Sequence, residues 1–363
     1  MVPQRNDLGL VGEHLQVEHQ PQVILVATSA SGRLSHAFRG ASWPFGPVRV
    51  QPAVTLCRTR GRSYSAGMHR RAFLIGAGAV PLAMASPVAA RAVRPSQGQA
   101  AAPRRAPIRQ SVMSSVWGNS ALSFEDRCRT LARIGFTGVD LPSAQQVPIL
   151  QKHGLAPTMM TGTGTSFQNG LIRKEMHDRF EQEFLEGIDT CAGLGCPNLI
   201  AIPGERRGMS REEGADNAVA ILSRVKGYAE EKGVTLCMEI TNSKVAADQR
   251  TDQVFDRLAW GLDVCRRVNS PRVKIVYDVY HVQIADGDVT RNLRDNVDRI
   301  CHIHVAGVPS RNEIDDTQEL NYRFIANAIA DLGFPGYVAH EHRPGPGRDP
   351  VRSLEQVFAV LNV

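Results

Sequence analysis

Several common signatures are missing from this 363-residue chain. Its seven cysteines, Cys57, Cys128, Cys191, Cys196, Cys237, Cys265 and Cys301, form no CxxC pair. Zinc-type Cys/His spacing is absent with them. A domain of this size can bury enough apolar surface without staples, so the spacing predicts buried thiols rather than a disulfide framework. Only Cys191 and Cys196 lie close enough in sequence to suggest a pair. No apolar stretch is long enough to cross a bilayer, so stable membrane insertion is not expected.

Lysine is absent from the first 107 residues, which hold thirteen Arg against three acids, Asp7, Glu13 and Glu18. The remaining 29 basic and 33 acidic residues all fall in 108–363. The formal +6 therefore divides into +10 for the leader and −4 for the rest, a charge asymmetry that places the basic character outside the folded part. A mildly acidic domain lacks the electrostatic footprint of a nucleic-acid binder.

The Arg-rich leader has no sustained helical or strand period. Within it, Met68-His69-Arg70-Arg71 precedes a short apolar, Gly/Ala-rich run to about Ala85, and small residues follow at Ala90 and Ala92. That order resembles a twin-arginine export signal. The expected organisation is an extension that is untranslated or disordered (1–67), a signal (68–92), a flexible linker (93–107) and one folded domain (108–363). Met68 would be the true start, and the destination would be the periplasm.

From residue 108 onward, short strand-type apolar runs alternate with longer amphipathic stretches. Strands are expected at 108–113, 138–141, 156–161, 199–203, 235–241, 273–280, 300–306 and 337–341. Helices are expected at 175–194, 211–231, 252–268 and 320–332. Eight such units over about 250 residues predict a (β/α)8 TIM barrel. The rival is a doubly wound sheet, which usually carries a Gly-rich phosphate loop behind its first strand. Here that position reads Ser114-Ser115-Val116-Trp117-Gly118-Asn119. The run Gly162-Thr163-Gly164-Thr165 follows the third strand without a helix directly behind it, so it is no dinucleotide loop.

Chemistry in a barrel collects where strands end, and four successive strands here end on metal-ligand types. They finish at Glu239, Asp278, His304 and Glu341. A carboxylate closing an apolar strand is costly unless it is paired or coordinated. Three carboxylates and one imidazole suit Mn²⁺ or Mg²⁺, with Co²⁺, Fe²⁺ and Zn²⁺ also compatible.

The strings around these residues are Met-Glu239-Ile-Thr-Asn, Tyr-Asp278-Val-Tyr-His281, His-Ile-His304-Val-Ala-Gly-Val-Pro-Ser-Arg311, Glu319-Leu-Asn-Tyr322 and His-Glu341-His-Arg-Pro. They resemble hydroxypyruvate isomerases and, more broadly, the xylose isomerase-like barrel superfamily, which includes ketose 3-epimerases and inosose dehydratases. The resemblance covers nearly all of 108–363 and is densest from 235 onward. It implies that Glu239, Asp278, His304 and Glu341 hold a metal, that Glu239 and Glu341 are also the acid/base pair, and that His281 and Arg311 bind substrate oxygens. His304 stands where hydroxypyruvate isomerases often carry Gln and the sugar epimerases carry His.

The expected chemistry follows from the residue types as well. Moving a carbonyl along a hydroxy-carbonyl compound requires removal of the proton beside it. A metal would stabilise the resulting enediolate, and two carboxylates could remove and return the proton. Arg311 could steady a carboxylate or hydroxyl, and His281 could donate to an oxygen. Trp117 is a candidate apolar wall for the substrate or a packing residue. Glu205 and Arg206 read as a solvated loop pair, His302 as a core or supporting histidine, and His340 and His342 as facing the helices. The alternatives are a ketose 3-epimerase, a polyol dehydratase, a DNA-repair endonuclease, which the acidic domain disfavours, and a non-catalytic exported sugar-binding protein. The expected partner is a small hydroxy-carbonyl or sugar molecule. Self-association into a homo-oligomer is left open.

Overall fold

The computed structural model describes residues 106–245 and 252–363. The expected extension and signal, and nearly all of the linker, lie outside the described residues.

All eight expected strands form: β1 (Arg109–Met113), β2 (Gly138–Asp140), β3 (Ala156–Met159), β4 (Asn198–Ala201), β5 (Thr235–Glu239), β6 (Val273–Asp278), β7 (Ile300–Val305) and β8 (Tyr337–His340). They pair in parallel in the order β3-β2-β1-β8-β7-β6-β5-β4, so the first and last strands are neighbours. The remaining seam is bridged by Met160, which donates its N–H to Asn198 O and accepts from Ile200 N–H, both at 2.9 Å. The expected (β/α)8 barrel is therefore the observed architecture.

Helices α1 (Phe124–Ile134), α2 (Val147–Lys152), α3 (His177–Leu194), α4 (Arg211–Lys232), α5 (Leu258–Val268), α6 (Val279–Ala285), α7 (Val289–Asn296), α8 (Tyr322–Asp331) and α9 (Pro350–Leu361) fill the connections. Ser123, Ser210 and Asp349 cap α1, α4 and α9 through their side chains, satisfying amide groups that the first helical turn leaves unpaired. Gly195 closes α3 at φ 70°, a left-handed conformation that only glycine adopts at little cost. Among the described residues no helix is long and apolar enough to cross a membrane.

Several expected boundaries move by one or more residues, and two of the shifts have a clear local cause. The helix expected from 252 begins at Leu258, because the preceding segment pairs with loops instead. Gln253 bridges Glu205, Val254 N–H donates to Gly204 O and Thr241 N–H donates to Phe255 O. The spacing of Val254, Phe255 and Leu258 had imitated one helical face. The strand expected through Tyr280 ends at Asp278, whose carboxylate accepts from the amides of Tyr280 (2.8 Å) and His281 (3.4 Å) and so starts α6. That local capping bond overrides the strand preference of Val279 and Tyr280.

Strands buried on both faces need two separate apolar fillings. The larger one lies between strands and helices, around Phe180, Phe184, Ile188, Leu222, Tyr277 and Ile303. A small inner cluster of Met159, Ile200, Ile202, Cys237 and Val276 fills the barrel. Two register irregularities interrupt the ladders. On β3, Thr158 is passed over between the partners of Val139 and Asp140; on β7, Cys301 is passed over between the partners of Ile275 and Val276. An extra residue re-aims the side chains that follow it. Gly138 makes room for the first irregularity, since a Cβ there would meet Thr158 Cγ2 at 2.4 Å and Ala156 O at 2.8 Å.

Candidate active site

The parallel strands deliver their last inward-facing residues to one end of the barrel. Glu239 closes β5, Asp278 closes β6, His304 is next to last in β7 and Glu341 directly follows β8. One ligand atom from each of the four lies within 4.8 Å of the others, and all four residues are buried. The sequence-predicted set is thus brought together in space.

His304 is at the centre. Its Nδ1 lies 3.1 Å from Glu239 Oε1 and 3.0 Å from Glu341 Oε2, and its Nε2 lies 3.1 Å from Asp140 Oδ2. Burial works against a charge on this imidazole, but Asp140, Glu239 and Glu341 outweigh it and raise its pKa well above the ordinary value. Burial also opposes ionisation of Glu341, yet Arg311 and His304 hold that carboxyl well below the usual range. Asp278 goes the other way. Burial pushes it up to about 7, only partly offset by Arg311, with Glu341 and Glu239 adding to the rise.

Arg311 reaches the group from the loop after β7, with Nη2 2.5 Å from Glu341 Oε1 and 3.4 Å from Asp278 Oδ2. Its guanidinium also stacks on Tyr280, 5.0 Å from the ring centroid. His281 is fully buried behind Asp278, its Nε2 3.5 Å from Asp278 Oδ2 and 3.2 Å from Arg311 Nη1. Asn242 presents Oδ1 to the amides of Lys244 and Val245, which leaves its Nδ2 to donate to His281 Nδ1 at 2.8 Å. His281 is thus held from both ring nitrogens, by Asn242 on one side and by Asp278 and Arg311 on the other.

A cavity of about 320 Å³ opens over Glu239 and Glu341, a volume suited to a small molecule. Met113, Leu141, Phe167, Ile200 and Ile202 form apolar walls, and Thr161, Thr163, Thr165 and Ser166 supply hydroxyls. These hydroxyls come from the loop after β3, whose Gly-Thr-Gly-Thr run is a wall of the site.

Trp117 does not share this cavity. It is buried beside α1 with Arg127 at 5.5 Å from its ring, and lines a separate cavity of about 60 Å³ with Phe124, Cys128 and Leu131. Glu205 and Arg206 make loop pairs with Arg207 (3.6 Å) and Asp252 (2.7 Å). His340 and His342 face outward, to Gln110 (2.9 Å) and to Ser353 of α9 (3.0 Å).

Two residues of the site escaped the sequence reading. Asn242 lies in the loop three residues past the end of β5, where no period marks it. Asp140 ends β2 as the others end their strands, fully buried against His302 and His304, and that strand-end position was the signal for it. Burial opposes its ionisation, but the two histidines keep its carboxyl well below the ordinary range.

Glu239, Asp278, His304 and Glu341 could together hold a cation. Asp140, Glu239, Asp278 and Glu341 are buried acids with Arg311 as the permanent positive charge among them. Buried carboxylates are costly unless they are paired or coordinated. Glu341 Oε2 is also a buried atom without a well-directed hydrogen bond.

The profile of the xylose isomerase-like TIM barrel family matches residues 128–361. The chain belongs to that family. Among its xylose isomerase-like relatives is the 2-oxo-tetronate isomerase of Pectobacterium atrosepticum, 27% identical over 240 residues, covering 61% of this chain and 87% of the relative. A Danio rerio protein that carries a provisional hydroxypyruvate isomerase name is 29% identical over 174 residues, covering 45% and 62%. The fold is shared with an AP endonuclease, family 2, from Brucella melitensis, at TM-score 0.63, 23% identity, and coverage of 70% and 100%. It is shared as well with the IOLI protein solved with a zinc atom, at TM-score 0.57, 15% identity, and coverage of 70% and 98%.

Proposed function

We propose that this chain is a divalent-metal-dependent isomerase of small hydroxy-carbonyl compounds, with hydroxypyruvate or a 2-oxo-tetronate as the substrate type. The carrying observation is the convergence of Glu239, Asp278, His304 and Glu341 within 4.8 Å beneath a cavity that Glu239 and Glu341 themselves line. Those four side chains would hold the ion, with Mn²⁺ or Mg²⁺ favoured by the oxygen-rich set and Co²⁺, Fe²⁺ or Zn²⁺ compatible. A bound divalent ion would polarise the substrate's carbonyl and stabilise the charge left when the neighbouring proton is removed.

The chain's own residues supply the rest. One of Glu239 and Glu341 would take the proton from the hydroxyl-bearing carbon beside the carbonyl, the other, in its protonated form, would return one to the former carbonyl carbon, and the hydroxyl proton would pass to the former carbonyl oxygen. Arg311, held 2.5 Å from Glu341 Oε1, keeps that carboxylate ionised and oriented. Asn242 fixes the His281 ring, which braces Asp278 from behind. The apolar walls exclude water around the reacting carbons, while the Thr161 to Ser166 hydroxyls can take up substrate hydroxyls.

The same machinery could invert a carbon beside a ketone, and His304 favours this second reading, epimerisation of a ketose, because the resembling sugar epimerases carry His there. A D₂O experiment tests both. Metal-loaded protein is incubated with hydroxypyruvate, a 2-oxo-tetronate and a ketose panel, and deuterium uptake and product are followed by NMR. Uptake should appear with one substrate class and fall by roughly 10² or more in Glu239→Gln and Glu341→Gln. Binding without exchange would favour a non-catalytic sugar-binding protein. We propose further that the protein is exported through Arg70-Arg71. Replacing both with Lys should leave it in the cytoplasm, and unchanged periplasmic recovery would refute this.

A further inference from the structure

The proposed site has a support that lies one layer behind the ligands. We infer that Asp140 is a positioning residue: its carboxylate holds the Nε2–H of His304 and thereby aims the Nδ1 lone pair into the group formed by Glu239 and Glu341. The inference rests on the metal-site reading above.

The geometry around one imidazole carries it. His304 presents Nδ1 to two carboxylate oxygens, at 3.1 and 3.0 Å, and Nε2 to a third, Asp140 Oδ2, at 3.1 Å. A histidine offers at most one hydrogen per nitrogen, so the two oxygens at Nδ1 cannot both receive a direct bond. Glu341 Oε2 is the atom left without one. If a cation joins Nδ1, Glu239 and Glu341, the conflict disappears, provided that the proton stays on Nε2. A carboxylate facing Nε2 enforces that arrangement, because an ionised acid can only accept. A buried acid hydrogen-bonded to the far nitrogen is a recurrent way of fixing a ligand imidazole.

Asp140 is itself built in rather than placed by chance. It is 1% exposed. Thr158 donates its hydroxyl to Oδ1 at 2.7 Å, and His302 Nε2 approaches the same oxygen at 3.1 Å. Both supports sit beside a register irregularity. Thr158 is the passed-over residue of β3, and His302 follows Cys301, the passed-over residue of β7. The two departures from a regular ladder thus bring one hydroxyl and one imidazole onto one carboxylate. Plain strand alternation does not produce that cluster.

The test uses the full chain and Mn²⁺. Affinity is measured by the EPR signal of free Mn²⁺ for wild type, Asp140→Asn, Thr158→Val and Glu341→Gln, with thermal unfolding of each metal-free protein as a control for folding. Asp140→Asn should bind Mn²⁺ about 10- to 100-fold more weakly, and Thr158→Val should fall between it and wild type. In zinc-loaded protein, long-range ¹H–¹⁵N spectra should show His304 protonated at Nε2 only, a pattern that Asp140→Asn weakens or loses. A purely structural role would move the unfolding temperature and leave that pattern intact. Wild-type Mn²⁺ affinity in Asp140→Asn, alongside a loss in Glu341→Gln, overturns the inference and leaves the metal reading standing. Wild type that binds no Mn²⁺ overturns both. If Asp140→Asn fails to fold, Thr158→Val decides, and unchanged affinity there counts against the role.

Discussion

Arg311 and Glu341 form the shortest charged contact of the site, Nη2 to Oε1 at 2.5 Å, with the arginine almost fully buried. The arginine holds this place from a left-handed backbone conformation, φ 57°, which costs a non-glycine residue of order 1 kcal/mol. Its amide donates to Gly307 O at 2.7 Å and its carbonyl accepts from Arg343 N–H at 2.8 Å, so the loop fixes the backbone that the pair requires. Removing one partner of a buried pair leaves the other charge uncompensated. Arg311→Met should therefore lower stability by about 3–5 kcal/mol, seen as a loss of unfolding temperature in metal-free protein. A variant as stable as wild type would show that Glu341 does not depend on this contact.

Metal removal should be visible without any assay of turnover. At a free Mn²⁺ concentration one hundred times its dissociation constant, binding stabilises the fold by about 2.7 kcal/mol. Chelation should lower the unfolding temperature, and added Mn²⁺ should restore it. Glu341→Gln, lacking one charged ligand, should respond weakly. A wild-type curve indifferent to chelator and to Mn²⁺ would remove the basis for the proposed cofactor.

Acid should act through the outward-facing histidines. Burial holds His340 far below its ordinary pKa and pulls His342 down to about 4. Unfolded, each takes up a proton near pH 6.5, so the unfolded chain binds more protons as pH falls below that value. Their contribution to stability is complete above pH 6.5 and falls away below it, for His342 toward pH 4. For His342 the loss amounts to at most about 3 kcal/mol. Asp278, raised to about 7, has the opposite sign: its contribution is present at low pH and lost as pH rises through 7. The observable is therefore a difference. His342→Gln should unfold with a shallower acid dependence between pH 6.5 and 4 than wild type, and parallel curves would contradict the assignment.

Trp117 separates packing from recognition. Its truncation to Ala should cost about 3–5 kcal/mol as a core cavity, while KM for any substrate found for the folded variant stays within a few-fold of wild type. A large rise in KM with little loss of stability would return it to the substrate wall.

The sequence alone determined the barrel and the candidate ligand residues. Strand and helix periods are local properties, and eight alternations leave few ways to bury both faces of each strand. A polar residue ending an apolar run is equally local, and for that reason Glu239, Asp278, His304 and Glu341 could be found before any coordinates. What followed those residues was less legible. Asp278 stops its strand with its own side chain, and residues 252–257 surrender a helical pattern to loop pairing.

Only the tertiary structure decided who supports the site and what faces the cavity. Asp140 and His304 are separated by most of the domain in sequence, and their contact depends on two register irregularities that no period reveals. His281 contacts the candidate ligand residue Asp278, and Arg311 contacts Asp278 and Glu341, whereas Trp117 turns under α1, because loop paths set those directions. Residue type fixed what each group can do. Strand register and loop closure fixed which groups meet.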